Sequence, residues 1–399
     1  MIKAVKKYFP AVNKKWIYLD GPGGTQVCRD AINAQADRLK KGVANFHGDF
    51  PLSREMDQLS ADCRKICAMF LGAKDDREIH FGPNMTTMSF HLSACISRLW
   101  KKGDNIILTK LDHYANVDPF KKAAIAKGVK VKWLNFTEDN IFISEKELLK
   151  KLDSRTKFVS LPAALNAIGH IQNIKNIVSI IRHSKALVHI DAVHMAPHAL
   201  IDVKKMDCDF LSCSAYKFYC PHLGIQYVKK ELDQIIEPLK LETAPNAGPM
   251  RYETGTQNQA SMVAVTAGLQ WMASLTEKNK KVSRMKFVHS MNVIKCHEEG
   301  LSKCFIAGIV NMPQWKLIGT HDVEQRTPTF ALLHRKKNAS TCSKILAKYN
   351  ISSWSGHFYA KDIIRGLGLE KRGGVLRLGF SLYHDLADVK KVLSVLKEM

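Results

Sequence analysis

Apolar residues recur at steps of three and four through Met56, Leu59, Cys63, Ile66, Cys67 and Phe70, which predicts an amphipathic helix that Gly72 ends. Beyond it the period shortens. Compact apolar and β-branched runs at Asn105–Thr109, Val131–Asn135, Lys157–Leu161, Ala186–Ile190, Phe210–Cys213 and Ile225–Val228 predict strands, and helical stretches such as Asn173–Arg182 fall between most of them. Strand and helix alternate in this way from about residue 55 to 230, which implies a mainly parallel sheet covered by helices on both faces. A long helix is predicted at Ala260–Ala273, followed by a lysine-rich region and a smaller α+β pattern. The simplest parse is a large α/β domain over residues 20–262 and a small domain built from residues 1–19 together with 263–399. No internal repeat or low-complexity segment interrupts it.

Composition changes this picture little. A chain of 399 residues with 46% apolar and 24% charged residues can bury a large core, so wholesale disorder and a collagen-like chain are excluded. No apolar run approaches the ~18 residues of a spanning helix, and Pro10, Asn13, Lys14 and Lys15 break up any signal-peptide segment, so no membrane role is expected. The ten cysteines form no Cys-x-x-Cys pair, and Cys63 and Cys67 read as helix packing rather than metal ligands, which points to a reducing, cytoplasmic setting and no metal. Charge is the unusual property. Sixty Lys and Arg against 37 Asp and Glu give +23, with clusters at Lys3–Lys7, Lys14–Lys15, Lys278–Lys286 and Arg335–Lys337. These runs lack the interleaved aromatics of a single-strand-binding groove, so nucleic acid is not an expected partner.

Candidate chemistry gathers at strand ends, where open parallel sheets place their functional groups. Leu187–Ile190 leads into Asp191 and His194, Asp209–Cys213 into Ser214, Tyr216 and Lys217, and Phe158–Leu161 into Asn166. A carboxylate and a lysine on neighbouring strand ends suit pyridoxal phosphate chemistry: the lysine forms a Schiff base with the cofactor aldehyde, and the carboxylate keeps the pyridine nitrogen protonated. On spacing alone, a structural ion pair at a strand end fits equally well.

Six motifs occur in order: Tyr18-Leu19-Asp20-Gly21-Pro22-Gly23-Gly24-Thr25-Gln26, Asp112-His113-Tyr114-Ala115-Asn116, Asn166-Ala167-Ile168-Gly169, Asp191-Ala192-Val193-His194, Ser214-Ala215-Tyr216-Lys217 and Arg251-Tyr252-Glu253-Thr254-Gly255-Thr256-Gln257-Asn258. In these the chain resembles the class V aminotransferases, in the branch similar to cysteine desulfurases and selenocysteine lyases. The resemblance implies a fold-type I α/β enzyme with a mainly parallel seven-stranded sheet, bound pyridoxal 5'-phosphate, an amino-acid substrate and a homodimer. It further implies Lys217 as the Schiff-base lysine, Asp191 as the pyridinium partner, His113 stacked on the ring, and Asn166 with His194 on the ring's phenolic oxygen. A histidine at 194, where many relatives have glutamine, could change charge with pH. The implied phosphate cup is Asn84, Met85, Thr86, Ser214 and Tyr216, with Thr256 contributed by the second subunit. Asn84 also reads as an N-cap before the stripe Met88, Leu92, Cys95 and Leu99, and a helix N-terminus is a ready anion site. Arg377 matches the arginine that grips the substrate carboxylate.

One departure matters. Cysteine desulfurases carry a mobile catalytic cysteine where this chain has Gly356-His357-Phe358-Tyr359-Ala360, with Tyr359 at the thiol position. A phenol cannot take up sulfur as a persulfide. Transamination, β-elimination from a cysteine-like or selenocysteine-like amino acid, and racemisation all remain open, with His357 and Tyr359 as candidates to line the substrate. Two alternatives stand beside these: a true cysteine desulfurase that recruits Cys220, and a non-catalytic basic scaffold or nucleic-acid-binding protein on the same fold.

Overall fold

The structure is a computed structural model that describes residues 5–12, 15–277 and 281–399. Lys3, Lys14 and the beginning of the Lys278–Lys286 run lie outside the described residues.

Seven strands form the central sheet in the spatial order Ile79–Gly82, Gly224–Val228, Phe210–Ser214, Leu187–Asp191, Thr156–Pro162, Asn105–Thr109, Lys130–Leu134. The last five are mutually parallel; Gly224–Val228 and Ile79–Gly82 run antiparallel to their neighbours. Strands Asn105–Thr109, Phe210–Ser214 and Gly224–Val228 are buried at every position, because helices cover both faces. The expected helix begins with Pro51 in its first turn and ends at Gly72 in the left-handed region (φ +75°), as Pro51–Leu71. The expected 173–182 helix spans Ile174–Ile181, capped by Asn173. Strand bounds shift by a residue or so from the sequence reading, and two larger differences stand out. The strand Ile79–Gly82 was not foreseen, and the 85–99 stripe breaks at Ile96 into a tighter 3₁₀ turn that leaves Leu99 40% exposed.

A smaller sheet, ordered Trp354–Gly356, Val375–Gly379, Thr329–His334, Trp315–Ile318, is wholly antiparallel. Its core of Leu301, Phe305, Phe330, Leu376, Leu378 and Val392 is separate from the main one and takes in Ile17 and Leu19 near the N-terminus. Helix Gln259–Ala273, which spans the expected boundary at residue 262, sends Met262, Val265 and Leu269 into the main core. Cys28, Cys63, Cys67, Cys213 and Cys220 lie in that core and Cys342 in the smaller one, so these cysteines pack as small hydrophobes. Among the described residues no group of His, Cys, Asp or Glu could hold a metal ion, and no helix is long and apolar enough to cross a membrane.

Candidate active site

Parallel pairing brings Pro162, Asp191 and Ser214 to one edge of the sheet, since Pro162 faces Asp191 and Asp191 faces Ser212 in register. A cavity of about 720 Å³ opens there, closed from the other side by residues 354–359 and Arg377 of the small sheet. It brings together Asn84, Met85, Thr86, His113, Asn166, Asp191, His194, Ser214, Tyr216, Lys217, His357, Tyr359 and Arg377. Thr256 is not among them: it is exposed, beside Asn45 (3.3 Å) in a separate surface hollow.

Lys217 ends a short 3₁₀ turn directly after the Phe210–Ser214 strand. Its Nζ donates to the carbonyls of Pro22 (2.6 Å) and Gly23 (2.9 Å) and, among the described residues, makes no carboxylate contact. Burial, and then the Arg377 cation, push its pKa down to about 7 against the pull of Asp20 and Asp191. Asp191 is buried; loss of water raises it to about 6, opposed by the Val193 N–H (2.8 Å) and by Lys217. His113 caps the helix Tyr114–Ala126, its Nδ1 accepting the Ala115 N–H at 3.0 Å, which leaves the ring proton on Nε2. Burial and the cations Lys217 and Arg377 lower it to about 4, so the ring is neutral near pH 7.

The start of the helix Met85–Ile96 lines the same cavity as the lysine. Asn84 caps the helix Met85–Ile96 by accepting the Thr87 N–H (3.0 Å), and the Met85 N–H donates to Ser214 Oγ (3.0 Å), which ties the helix start to the strand end. Gly224 permits this approach: a Cβ there would come within 2.6 Å of Met88 Sδ and 2.8 Å of the Asn84 carbonyl carbon. Tyr216 stacks flat on His222, with ring centroids 4.4 Å apart.

On the opposite wall the Arg377 guanidinium donates to the Asn166 carbonyl (3.0 Å), stands 3.6 Å from Asp20 and is covered by the Phe358 ring at 4.1 Å. Asn166 Nδ2 donates to the Phe358 carbonyl (2.8 Å). His194 Nε2 lies 3.0 Å from Thr327 Oγ1; the Thr327 hydroxyl reaches the Gly169 carbonyl (3.3 Å), so the histidine is the donor. Burial, reinforced by His198, Arg377 and Lys217, holds His194 far below its ordinary range, so it stays neutral instead of changing charge near pH 7. The Tyr359 carbonyl accepts the Tyr114 N–H (2.8 Å) and its ring rests on His113 with centroids 5.3 Å apart. Cys220 does not line the cavity; it is fully buried, and burial raises its thiol well above the ordinary range. Sequence reasoning assigned no role to Asp20, Asp112, His222, Trp354 or Phe358, all of which line the cavity. Two of these, Asp20 and Asp112, stood inside quoted motifs as polar residues beside apolar runs, the one available signal.

The chemistry of this donor set fits pyridoxal phosphate: a helix start and a hydroxyl for the phosphate, a lysine of near-neutral pKa, a buried carboxylate for the ring nitrogen and a neutral imidazole to lie against the ring. Comparison with known proteins agrees. A probable cysteine desulfurase of Pyrococcus abyssi is 27% identical across 99% of this chain and 96% of its own length. An aminotransferase-like protein of Gibberella zeae is 26% identical across 99% and 98%. The solved apo structure of a cysteine desulfurase from Thermococcus onnurineus superposes with a TM-score of 0.89, at 24% identity, over 99% of this chain and 96% of that one. The Escherichia coli cysteine desulfurase CsdA gives 0.84 at 22% identity, over 98% and 96%. With the aminotransferase class-V family matched across residues 17–392, the chain belongs to that family of pyridoxal-phosphate-dependent enzymes.

Proposed function

We propose that this enzyme acts on an amino acid through Lys217, by transamination or by β-elimination from a cysteine-like or selenocysteine-like substrate. The observation that carries the reading is the lysine itself: a half-buried amine with a pKa near 7 and no ion-pair partner among the described residues, sharing a cavity with a buried carboxylate and a neutral imidazole. Bound pyridoxal phosphate would supply an electron sink for the substrate's α-carbon. Around it, Asp191 would hold the ring-nitrogen proton and His113 would lie against the ring. The Asn84–Thr86 helix start, Ser214 and Tyr216 would bind the phosphate, with Thr256 from the second subunit of a homodimer. Asn166 and His194 would face the phenolic oxygen once released from Phe358 and Thr327. Arg377 would take the substrate carboxylate, with His357 and Tyr359 along the side chain. Lys217, freed by the incoming amine, would move the α-proton. The division at 20–262 against 1–19 with 263–399, and a cytoplasmic location, belong to the same reading.

The alternative of a persulfide-forming desulfurase has no support at Cys220, whose buried thiol resists ionisation. The testing experiment is an absorbance spectrum of the purified protein with and without borohydride, in wild type and Lys217→Ala, followed by an amino-acid panel. A visible band that depends on Lys217 is expected. A protein that stays colourless with added pyridoxal phosphate would overturn the assignment of the lysine. Keto acid with the cofactor left in its amine form would mark transamination, keto acid with ammonia and sulfide or selenide would mark β-elimination, and alanine with sulfur or selenium released at the zero oxidation level would mark desulfurase-like chemistry.

A further inference from the structure

Behind the cavity a polar stripe crosses the otherwise apolar sheet. Ser160, His189, Ser212 and Gln226 sit on successive strands, Ser160 facing His189 and Ser212 facing Gln226 in register. Asn116 on the covering helix and Asp112 at the cavity wall complete the line, and all six are buried. Their hydrogen bonds have a forced direction. Asp112 accepts the His113 N–H (2.7 Å) and the Asn116 amide (2.7 Å). Asn116 therefore turns its oxygen to Ser160, whose hydroxyl proton must point there (2.9 Å). The Ser160 oxygen is left to accept from His189 Nδ1 (3.0 Å). Burial pushes His189 down to about 3, so the ring is neutral and its Nε2 can only accept, from the Ser212 hydroxyl (2.9 Å). Gln226 Nε2 donates to Ser212 at 3.1 Å. Every proton in the chain points toward Asp112.

Asp112 and Asp191 line the same cavity; burial raises the proton affinity of both, and the Asp191 charge raises that of Asp112 further. The other titratable groups nearby are His113, next in sequence and neutral, Lys217, which bears on Asp191 and is half neutral at pH 7, and Arg377, which bears on Lys217 and His113. Two buried carboxylates of this kind hold one negative charge more readily than two. Asp112 receives two donors and Asp191 one, so the charge goes to Asp112. We propose that Asp112 is a positioning residue: the ordered chain from Gln226 holds it as an anion, and its fixed charge places the pair's proton on Asp191, the group that meets the cofactor nitrogen. Only that last consequence rests on the function proposed above.

The test is the tautomer of His189, read by ¹⁵N NMR of histidine-labelled full-length protein with and without pyridoxal phosphate and assigned with His189→Gln. The wild type should show the neutral Nδ1–H form; an Nε2–H form or an imidazolium would overturn the proposal. Asp112→Asn should reverse the whole chain. With one amide oxygen kept for the His113 N–H, the new NH₂ must donate to Asn116, both amides flip, and His189 becomes Nε2–H. An unchanged tautomer in a folded Asp112→Asn protein would refute control by Asp112, while the wild-type measurement stands even if that variant does not fold. In ¹³C-aspartate-labelled protein freed of cofactor, Asp191 should titrate at about 6 in wild type and lower in Asp112→Asn, where the neighbouring negative charge is gone. No shift there would remove the proton-placing half of the proposal. None of these readouts depends on turnover, so a failure of the proposed reaction would leave them distinct.

Discussion

Lys217 should titrate near neutrality in the cofactor-free protein. Its pKa falls from 10.5 to about 7, because burial penalises the ammonium and Arg377 repels it, while Asp20 and Asp191 pull the other way. At pH 7.5 about three quarters of such an amine is neutral, against about 0.1% of an ordinary lysine, a gain of roughly 10³ in nucleophile. The perturbation has two arms of opposite sign. Arg377→Gln removes a cation and should raise the midpoint, and Asp20→Asn removes an anion and should lower it, each by up to about one unit. The assay is reductive labelling with an uncharged aromatic aldehyde and cyanoborohydride from pH 5.5 to 9.5, scored by the mass of the Lys217 peptide. Labelling should reach half its plateau near pH 7. A rise continuing through pH 9.5, or both variants shifting the same way, would refute the electrostatic account. The linkage to stability has a definite sign as well. Between pH 7 and 10.5 the unfolded chain binds the proton that the folded one has lost, so this residue makes the apoprotein more stable as pH rises through that window. Its full penalty is present below pH 7.

Asp191→Asn should cut turnover by about 10²-fold or more, because the amide cannot hold a proton on the cofactor nitrogen; steady-state kinetics at saturating pyridoxal phosphate would check this, and near-normal turnover would count against the role. Gly224→Ala drives a methyl group into Met88 and the Asn84 backbone, so a loss of about 1–3 kcal/mol in urea unfolding is expected, together with weaker pyridoxal phosphate binding. Cys220→Ala should leave turnover within about twofold, and mass spectrometry of the wild type after incubation with cysteine should find no sulfur added to the Cys220 peptide, as expected of a thiol held protonated by burial; a persulfide on Cys220 would restore the desulfurase alternative.

Much of the site was legible because its residues follow strands directly. Asp191 and Ser214 close strands whose apolar runs are unmistakable, and parallel pairing puts such ends on one edge without further information. The strand Ile79–Gly82 was not legible, since four residues containing His80 and a glycine offer no period to count. Lys130–Leu134, one residue earlier than expected, is an edge strand whose half-exposed positions blur the pattern. Contacts across the chain were beyond reach for a different reason. Asn166 meets Phe358 across 192 positions and His194 meets Thr327 across 133, so no local spacing encodes them. The Ser160–His189–Ser212–Gln226 stripe looks like scattered polar residues in buried strands until the registers align them.

The segment that replaces the desulfurase cysteine loop argues for chemistry that ends on the substrate rather than on the protein. A thiol carrier must be free to swing from the cofactor to an acceptor. Here Phe358 and Tyr359 both adopt left-handed backbone, at φ +51° and +58°, a cost of about 1–2 kcal/mol per residue that neighbouring contacts must offset. Those contacts are present: Asn166 holds the Phe358 carbonyl, the start of the Tyr114–Ala126 helix holds the Tyr359 carbonyl, Phe358 covers Arg377 and Tyr359 leans on His113. A segment pinned on both cavity walls behaves as part of the wall, and its two aromatic rings lie against the groups assigned to the substrate carboxylate and the cofactor ring. The same economy governs charge. For the two anions it is read to bind, the site uses Arg377 and a helix N-terminus, with Lys217 poised between charged and neutral, while the described residues of the basic clusters, such as Lys6, Lys7, Lys15, Lys286 and Arg335–Lys337, do not line the cavity. The +23 excess therefore says nothing about the reaction, and the specificity of the enzyme must be sought in Phe358, Tyr359 and their neighbours.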